Sequence, residues 1–446
     1  MPPYGRIGTR GRDGGVEASM EAQGEGGRWS RLDARLRSLS PRRRVLIILS
    51  IFVAVYGSFI AMDGLLFRPF IDQSFANSSD LSIFQERAKL LLNGGMIYRD
   101  VPYGSFPVES PPLINYLFIP PQLAGGEWWA YEIWFSLFAL LSSLSAYLIL
   151  RAWDEHLGFI SSMLILLCPS LVIDATMGLQ DEPIVAFLFI VPPLLFLRNN
   201  LKGATVGVTI GFWTKFLSVI LFPAMLIRIP TWKRRARHIG LAALISLLIA
   251  LPFLAICPIE FLQFPTYYML GSNDGGAGMS AVGLMSIMGI IVPGNVGALI
   301  TIAALLGSYW YCWKRNLDIW RSCLLVTVVF LCIYPMIRLS YFVIPFAFLT
   351  VWAADDRRVL LRILGMFVPL MVAQALEFTI NDGTVSASYA WIALVSLLIG
   401  LIILVDATRI ALRKECFLDR AQTGAAPLLK LSPSTVSKGT AAHDAK

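Results

Sequence analysis

Lys215 lies in Gly211-Phe212-Trp213-Thr214-Lys215-Phe216-Leu217, at the centre of an otherwise apolar block. A cation at membrane depth is costly, so its default reading is functional, with an anion as partner; the bland alternative is snorkelling to an interface. Arg338, in Tyr334-Pro335-Met336-Ile337-Arg338-Leu339-Ser340-Tyr341-Phe342, is a second cation, for which a headgroup contact is the ordinary reading. Carboxylates accompany them. Asp80 begins Asp80-Leu81-Ser82-Ile83-Phe84-Gln85-Glu86-Arg87-Ala88, at a helix N-cap position; a cap and a general base are compatible readings of it. Glu109 precedes Pro111-Pro112 and is either a second acid or a solvated loop charge. In Gly178-Leu179-Gln180-Asp181-Glu182-Pro183 the acids precede a helix with Pro in its first turn, where they suit the dipole. Capping leads for Glu182, and for Asp181 a substrate contact weighs equally with a cap. Two cations among several acids suit a phosphate held by Lys and Arg beside a sugar held by carboxylates.

The elements that position these groups are membrane spans. The 446 residues are 56% hydrophobic and only 15% charged. The apolar residues gather at 45–62, 128–150, 157–173, 183–197, 203–227, 239–257, 295–313, 322–337, 341–354, 359–380 and 388–408. Blocks of this kind are helices in lipid, because every backbone amide must be satisfied within its own segment. Lys215 splits 203–227 into two predicted half-helices, and 111–123 and 281–292 are too short to cross. About ten full crossings plus the broken pair are expected.

Basic residues set the orientation. The arm 1–44 carries ten arginines, and 228–238, 314–321 and 355–358 are also basic, whereas 174–182, 258–280 and 381–387 contain no Lys or Arg. The positive-inside rule puts the first group and both termini in the cytoplasm. The arm 1–44 reads as disordered, 45–410 as the membrane domain, and 411–446 as a cytoplasmic tail. The loop 63–127 then faces outward, with a predicted helix behind Asp80 that ends at Gly94-Gly95. The net charge of +8 reflects topology and does not point to nucleic acid. Six cysteines without paired spacing and three scattered histidines suggest neither a disulfide framework nor a zinc centre. Asn77-Ser78-Ser79 is an outward sequon of little weight.

The run from Asp80 to Tyr116 resembles the first luminal loop of glycosyltransferases of the GT-C fold. It is most similar to polyprenyl-phosphate-dependent mannosyltransferases such as glycosylphosphatidylinositol mannosyltransferase I and glycosyltransferase family 87. The resemblance is carried by Asp80, Phe84, Ala88, Leu91, Leu92, Gly94, Tyr98 and Pro111-Pro112-Leu113, then by 178–182, Gly211 with Lys215, and 338–342, in the same order. Arg338 stands where many members have His. The resemblance implies an all-α, GT-C-like bundle and an inverting hexosyl transfer, with mannose the family-level sugar. The donor would be a polyprenyl- or dolichyl-phosphate-linked sugar entering from the bilayer, and the acceptor a lipid or glycan. Asp80 would be the general base, Lys215 and Arg338 the donor-phosphate ligands, and Gln180, Asp181, Glu109, Tyr98 and Tyr341 the substrate contacts. No glycine-rich phosphate loop follows a strand, and a single Asp80 is not an Asp-x-Asp motif, so no cofactor and no required metal are expected. A transporter or flippase for a lipid-linked sugar is the principal rival: it shares the broken helix but has no need of a long outer loop carrying an acid. A glycan polymerase or ligase would usually place its large outer loop later, and a purely structural protein would not need Lys215.

Overall fold

The computed structural model describes residues 34–69, 80–101, 108, 110–265, 285, 288–290, 292–334, 337–381 and 383–419. Glu109, the sequon 77–79, and most of the loop 258–280, expected to face outward, and of the short segment 281–292 lie outside the described residues. Among the described residues the regular elements are helices and no strand occurs. The chain divides after Ile47 into two units. In the smaller unit Arg44 folds back to donate to the carbonyls of Leu36 and Arg37 at 3.2 and 3.1 Å.

Among the described residues six helices are long and apolar enough to cross a membrane: Pro41–Phe67, Trp128–Leu150, Trp232–Ile256, Asn295–Lys314, Arg357–Ile380 and Ala387–Asp419. Glu155–Leu166 and Pro169–Ala175, bent by 48°, make a seventh if they are taken as one span. The protein is therefore an all-helical, multi-pass membrane protein. The expected tally of about ten full crossings is not reached on this measure. The blocks at Glu182–Leu197 and Ile319–Ile333 form helices of 16 and 15 residues. At 1.5 Å per residue these rise about 24 and 22 Å, less than a hydrocarbon core of about 30 Å.

In chain order the helices used below are α1 (Pro41–Met62), α2 (Leu81–Leu92), α3 (Pro112–Tyr116), α4 (Ile119–Leu123), α5 (Trp128–Leu150), α6 (Glu155–Leu166), α7 (Pro169–Ala175), α8 (Glu182–Leu197), α9 (Leu201–Thr214), α10 (Leu221–Arg228), α11 (Trp232–Ile256), α12 (Gly294–Lys314), α13 (Ile319–Ile333), α14 (Val343–Ala353), α15 (Arg357–Gly365), α16 (Phe367–Asn381) and α17 (Ala390–Arg413). A 3₁₀ turn, Leu339–Phe342, leads into α14.

The predicted break at Lys215 is present, and it turns the block into a hairpin. Lys215 is extended (φ −143°, ψ 115°) between α9 and a 3₁₀ turn over Phe216–Ile220, which continues into α10. Two hydrogen bonds establish the direction. Thr205 Oγ1 and Nδ1 of His238 share a 2.8 Å bond, and Trp213 Nε1 donates to Ser246 Oγ at 2.9 Å. Both span 33 residues, so α9 and α11 run parallel and the chain between them must return. The block therefore enters the bundle, turns at Lys215, and comes back to Arg228.

Arg228 closes the return by donating to Asn316 Oδ1 at 2.7 Å and to the Cys312 carbonyl at 3.3 Å. Other bonds gather the same end of the bundle. Arg321 reaches the carbonyls of Ala411 and Lys414, and Trp352 Nε1 donates to Lys414. Side chains cap helices at this end: Asp154 accepts from the amides of His156 and Leu157, Asn200 from Gly203, Thr231 from Arg234, Asp318 from Arg321, and Asp356 from Arg358. Each cap satisfies amides that the first helical turn leaves without partners.

Candidate active site

The site is built at the opposite end, where two acids at helix starts do not cap. Asp80 and Asp181 occupy the N-cap positions of α2 and α8, yet neither side chain accepts a cap hydrogen bond. Asp181 turns to the hairpin tip instead: Lys215 Nζ donates to its Oδ1 at 3.0 Å and its Oδ2 at 3.2 Å. Glu182 Oε1 stands 3.7 Å from the same ammonium, and its Oε2 is buried with no hydrogen-bond partner. The Tyr341 ring faces the ammonium at 5.9 Å, bringing the Leu339–Phe342 turn to the group. Asp181, Glu182 and Tyr341 are all buried, at 7%, 3% and 8% exposure, so these charges meet where water screens them little. Asp80, only partly buried, is close enough for its charge to act on Glu182, as do those of Asp181 and Lys215. Asp174, on α7, feels the charges of both Asp181 and Glu182.

Local chemistry holds each part in place. Gly211 lies one helical turn before Lys215, whose amide donates to its carbonyl at 2.7 Å. A Cβ on Gly211 would stand 2.8 Å from Ser218 Oγ, so glycine lets the 3₁₀ turn close against α9. The loop before Asp181 is tight: the Gly178 amide donates to the Ile173 carbonyl at 2.8 Å, and the Gln180 amide to that of Asp174 at 2.9 Å. Between them Leu179 adopts φ +46°, a left-handed conformation uncommon for a leucine. Strain of this kind persists only where surrounding structure over-determines it, and it clusters at functional sites.

The segment after α1 sets Asp80. Helix α2 packs on α3 and α4, and α3 packs on α9, the arm of the hairpin that ends at Lys215. The buried face of α2 is Phe84 and Ala88. Phe84 stacks on Phe118 at 4.2 Å and meets Phe135 edge-on at 5.8 Å. Gln85 Nε2 donates to the Gly126 carbonyl at 2.7 Å, and Arg87 Nη1 to Ser110 Oγ at 2.9 Å. A second aromatic cluster fastens the loop to the hairpin. Tyr98 donates to the Ser110 carbonyl at 2.8 Å and packs edge-on against Phe253 and Phe261. Trp213, two residues before Lys215, stacks on Phe261 at 6.0 Å in the same cluster.

The predicted site residues are thus distributed. Lys215, Asp181 and Tyr341 converge, and Asp80 is within electrostatic reach of that group. Gln180 lies in the adjoining loop, where its Nε2 donates to the Gly178 carbonyl at 3.2 Å. Tyr98 is buried in the aromatic cluster. Arg338 is exposed and begins the turn that carries Tyr341, whose amide donates to the Arg338 carbonyl at 3.2 Å. Sequence reasoning ranked Glu182 as a cap and did not single out Asp174. The available signal for Glu182 was its place beside Asp181 at an apolar helix start; Asp174 had none, because its role depends on the bend after α6.

No protein-family description matches the chain, and no curated protein does. Among solved structures, the chain is similar to the crystal structure of ArnT from Cupriavidus metallidurans bound to undecaprenyl phosphate. The identity is 14% and the TM-score 0.48, over 84% of this chain and 79% of that one.

Proposed function

We propose that this protein is a membrane glycosyltransferase that moves a hexose from a polyprenyl-phosphate-linked donor to a lipid or glycan acceptor at the outer face. The observation that supports it best is the pair of acids, Asp80 and Asp181, that sit at cap positions and leave their helices uncapped. One is free for proton transfer, and the other holds the membrane-depth cation Lys215. The arrangement agrees with the order of motifs that the sequence shares with GT-C mannosyltransferases, and mannose is the sugar we expect.

In this reading Asp80 accepts the proton of an acceptor hydroxyl as its oxygen attacks the anomeric carbon. The bond to the donor phosphate breaks, the phosphate leaves with the electron pair, and the configuration inverts. Lys215, with the exposed Arg338 at the edge of the site, offsets the charge that develops on that phosphate. Because Lys215 begins paired to Asp181, binding of the donor phosphate exchanges one anionic partner for another. The positive-inside distribution assigns the site to the extracytoplasmic face and both termini to the cytoplasm.

The test is transfer in proteoliposomes from radiolabelled polyprenyl-phosphate mannose or glucose to membrane glycolipids. Transfer by wild type that falls at least ~10²-fold in Asp80→Asn supports the reaction and the base together. Undiminished transfer in the variant removes Asp80 from the chemistry. Net movement of the lipid-linked sugar across the bilayer, without transfer, would instead make the protein a flippase.

A further inference from the structure

A cavity of about 720 Å³ runs along α13, with its arginines at the end of the bundle opposite the acid cluster. Helix α13 packs against both α12 and α17 and forms its floor. Leu325, Val329, Cys332, Ile333 and Val405 give it apolar walls, while Arg315, Arg409 and Arg413 line its basic end together with Tyr311. From Leu325 to Ile333 the wall rises about 12 Å along α13, close to the depth of one leaflet in a core of about 30 Å.

Several of the basic residues nearby are already engaged. Arg321 is paired with Asp318 and Asp419, Arg362 with Asp406, and Lys414 with Asp356. Arg228 and Arg235 are spent on backbone carbonyls and Asn316. Among the described residues Arg315, Arg409 and Arg413 enter no ion pair, and all three are exposed. Arg315 lies 5.9 Å over the ring of Tyr311, itself 40% exposed. Trp310 and Trp313, on the same last turns of α12, are exposed at 55% and 63%. Exposed aromatics of this kind sit at the headgroup level, which places the arginines there too.

We propose that this groove binds an anionic phospholipid of the arginine-side leaflet, with an acyl chain along α13 and the headgroup phosphate between Arg315, Arg409 and Arg413. Charge complementarity selects the occupant. A neutral lipid would leave three converging cations uncompensated, and a free phosphate would leave the apolar wall unfilled. Basic pockets between membrane helices on the cytoplasmic side have this character. The site is separate from the acid cluster and does not depend on the proposed transfer reaction.

Native mass spectrometry of the full chain in detergent tests it, with phosphatidylglycerol or phosphatidylcholine added. Wild type should retain phosphatidylglycerol preferentially. At about fivefold per arginine, the triple variant R315Q/R409Q/R413Q should bind it about 10²-fold more weakly. Val329→Trp leaves every charge in place and fills the groove, and it should lose the lipid as well. Leu325→Trp serves the same purpose if Val329→Trp does not give a monodisperse protein. Equal retention by wild type and the triple variant would overturn the proposal. So would full displacement by inorganic phosphate, which marks a bare anion site, or retention of polyprenyl phosphate but not phosphatidylglycerol.

Discussion

Lys215 Nζ lies 3.0 Å from Oδ1 of Asp181, so the tip of a membrane hairpin is fastened to the start of the neighbouring helix by one ion pair. Both partners are largely buried, with side chains 15% and 10% exposed. A buried pair is weak evidence of net stabilisation, but removing one partner strands the other, at a cost of about 3–5 kcal/mol.

That asymmetry gives a first prediction. Lys215→Met should leave Asp181 and Glu182 uncompensated and lower stability by about 3–5 kcal/mol, whereas the double variant Lys215→Met/Asp181→Asn should recover part of the loss. Thermal unfolding followed by fluorescence-detected size exclusion reads this coupling. Strictly additive losses would show that the pair is not the fastening.

Asp80 and Asp154 occupy the same kind of helix position and should respond oppositely. Asp154 caps α6 through two amides, so Asp154→Ala should cost about 1 kcal/mol and leave transfer unchanged. Asp80 makes no cap bond, so Asp80→Asn should leave stability within about 0.5 kcal/mol while transfer is lost. A stability loss in Asp80→Asn equal to that of Asp154→Ala would mean that Asp80 is a cap after all.

Phe84 connects α2 to the bundle. It is 5% exposed and stacked on Phe118, and Phe84→Ala should cost about 3–5 kcal/mol. Because Asp80 lies one turn before it, transfer should fall further than the loss of folded protein explains. Specific activity per folded molecule, measured after size exclusion, makes the comparison; an unchanged value would uncouple α2 packing from the site.

Gly211 tests the hairpin turn. A Cβ there meets Ser218 Oγ at 2.8 Å, so Gly211→Ala should cost about 1–3 kcal/mol by overpacking. Adding Ser218→Gly removes the obstruction and should restore part of the stability in the same unfolding assay. Failure of the second substitution to help would place the cost of Gly211→Ala elsewhere.

The local features of this protein were legible in its sequence because they depend on neighbours in the chain. Apolar blocks mark where helices form, Lys215 marks the break in 203–227, and Asp80 with Gly94 brackets α2 within two residues. Each follows from backbone satisfaction in lipid or from the chemistry of helix ends. Whether Asp80 and Asp181 cap their helices was not legible, since that is decided by a competing partner far away in sequence. Lys215, 34 residues beyond Asp181, wins the carboxylate from the α8 amides. The course of the broken block was likewise undecided until the paired bonds Thr205–His238 and Trp213–Ser246 showed α9 and α11 to be parallel. Tyr98 falls in the aromatic cluster for the same reason: Phe253, Phe261 and Phe264 reach it only after the bundle has assembled. Sequence alone therefore determined that the chain is a helical, multi-pass membrane protein and which charges must be accounted for there, because hydration costs are local. Only the tertiary structure decided which charge meets which, because that depends on how helices of unequal length pack.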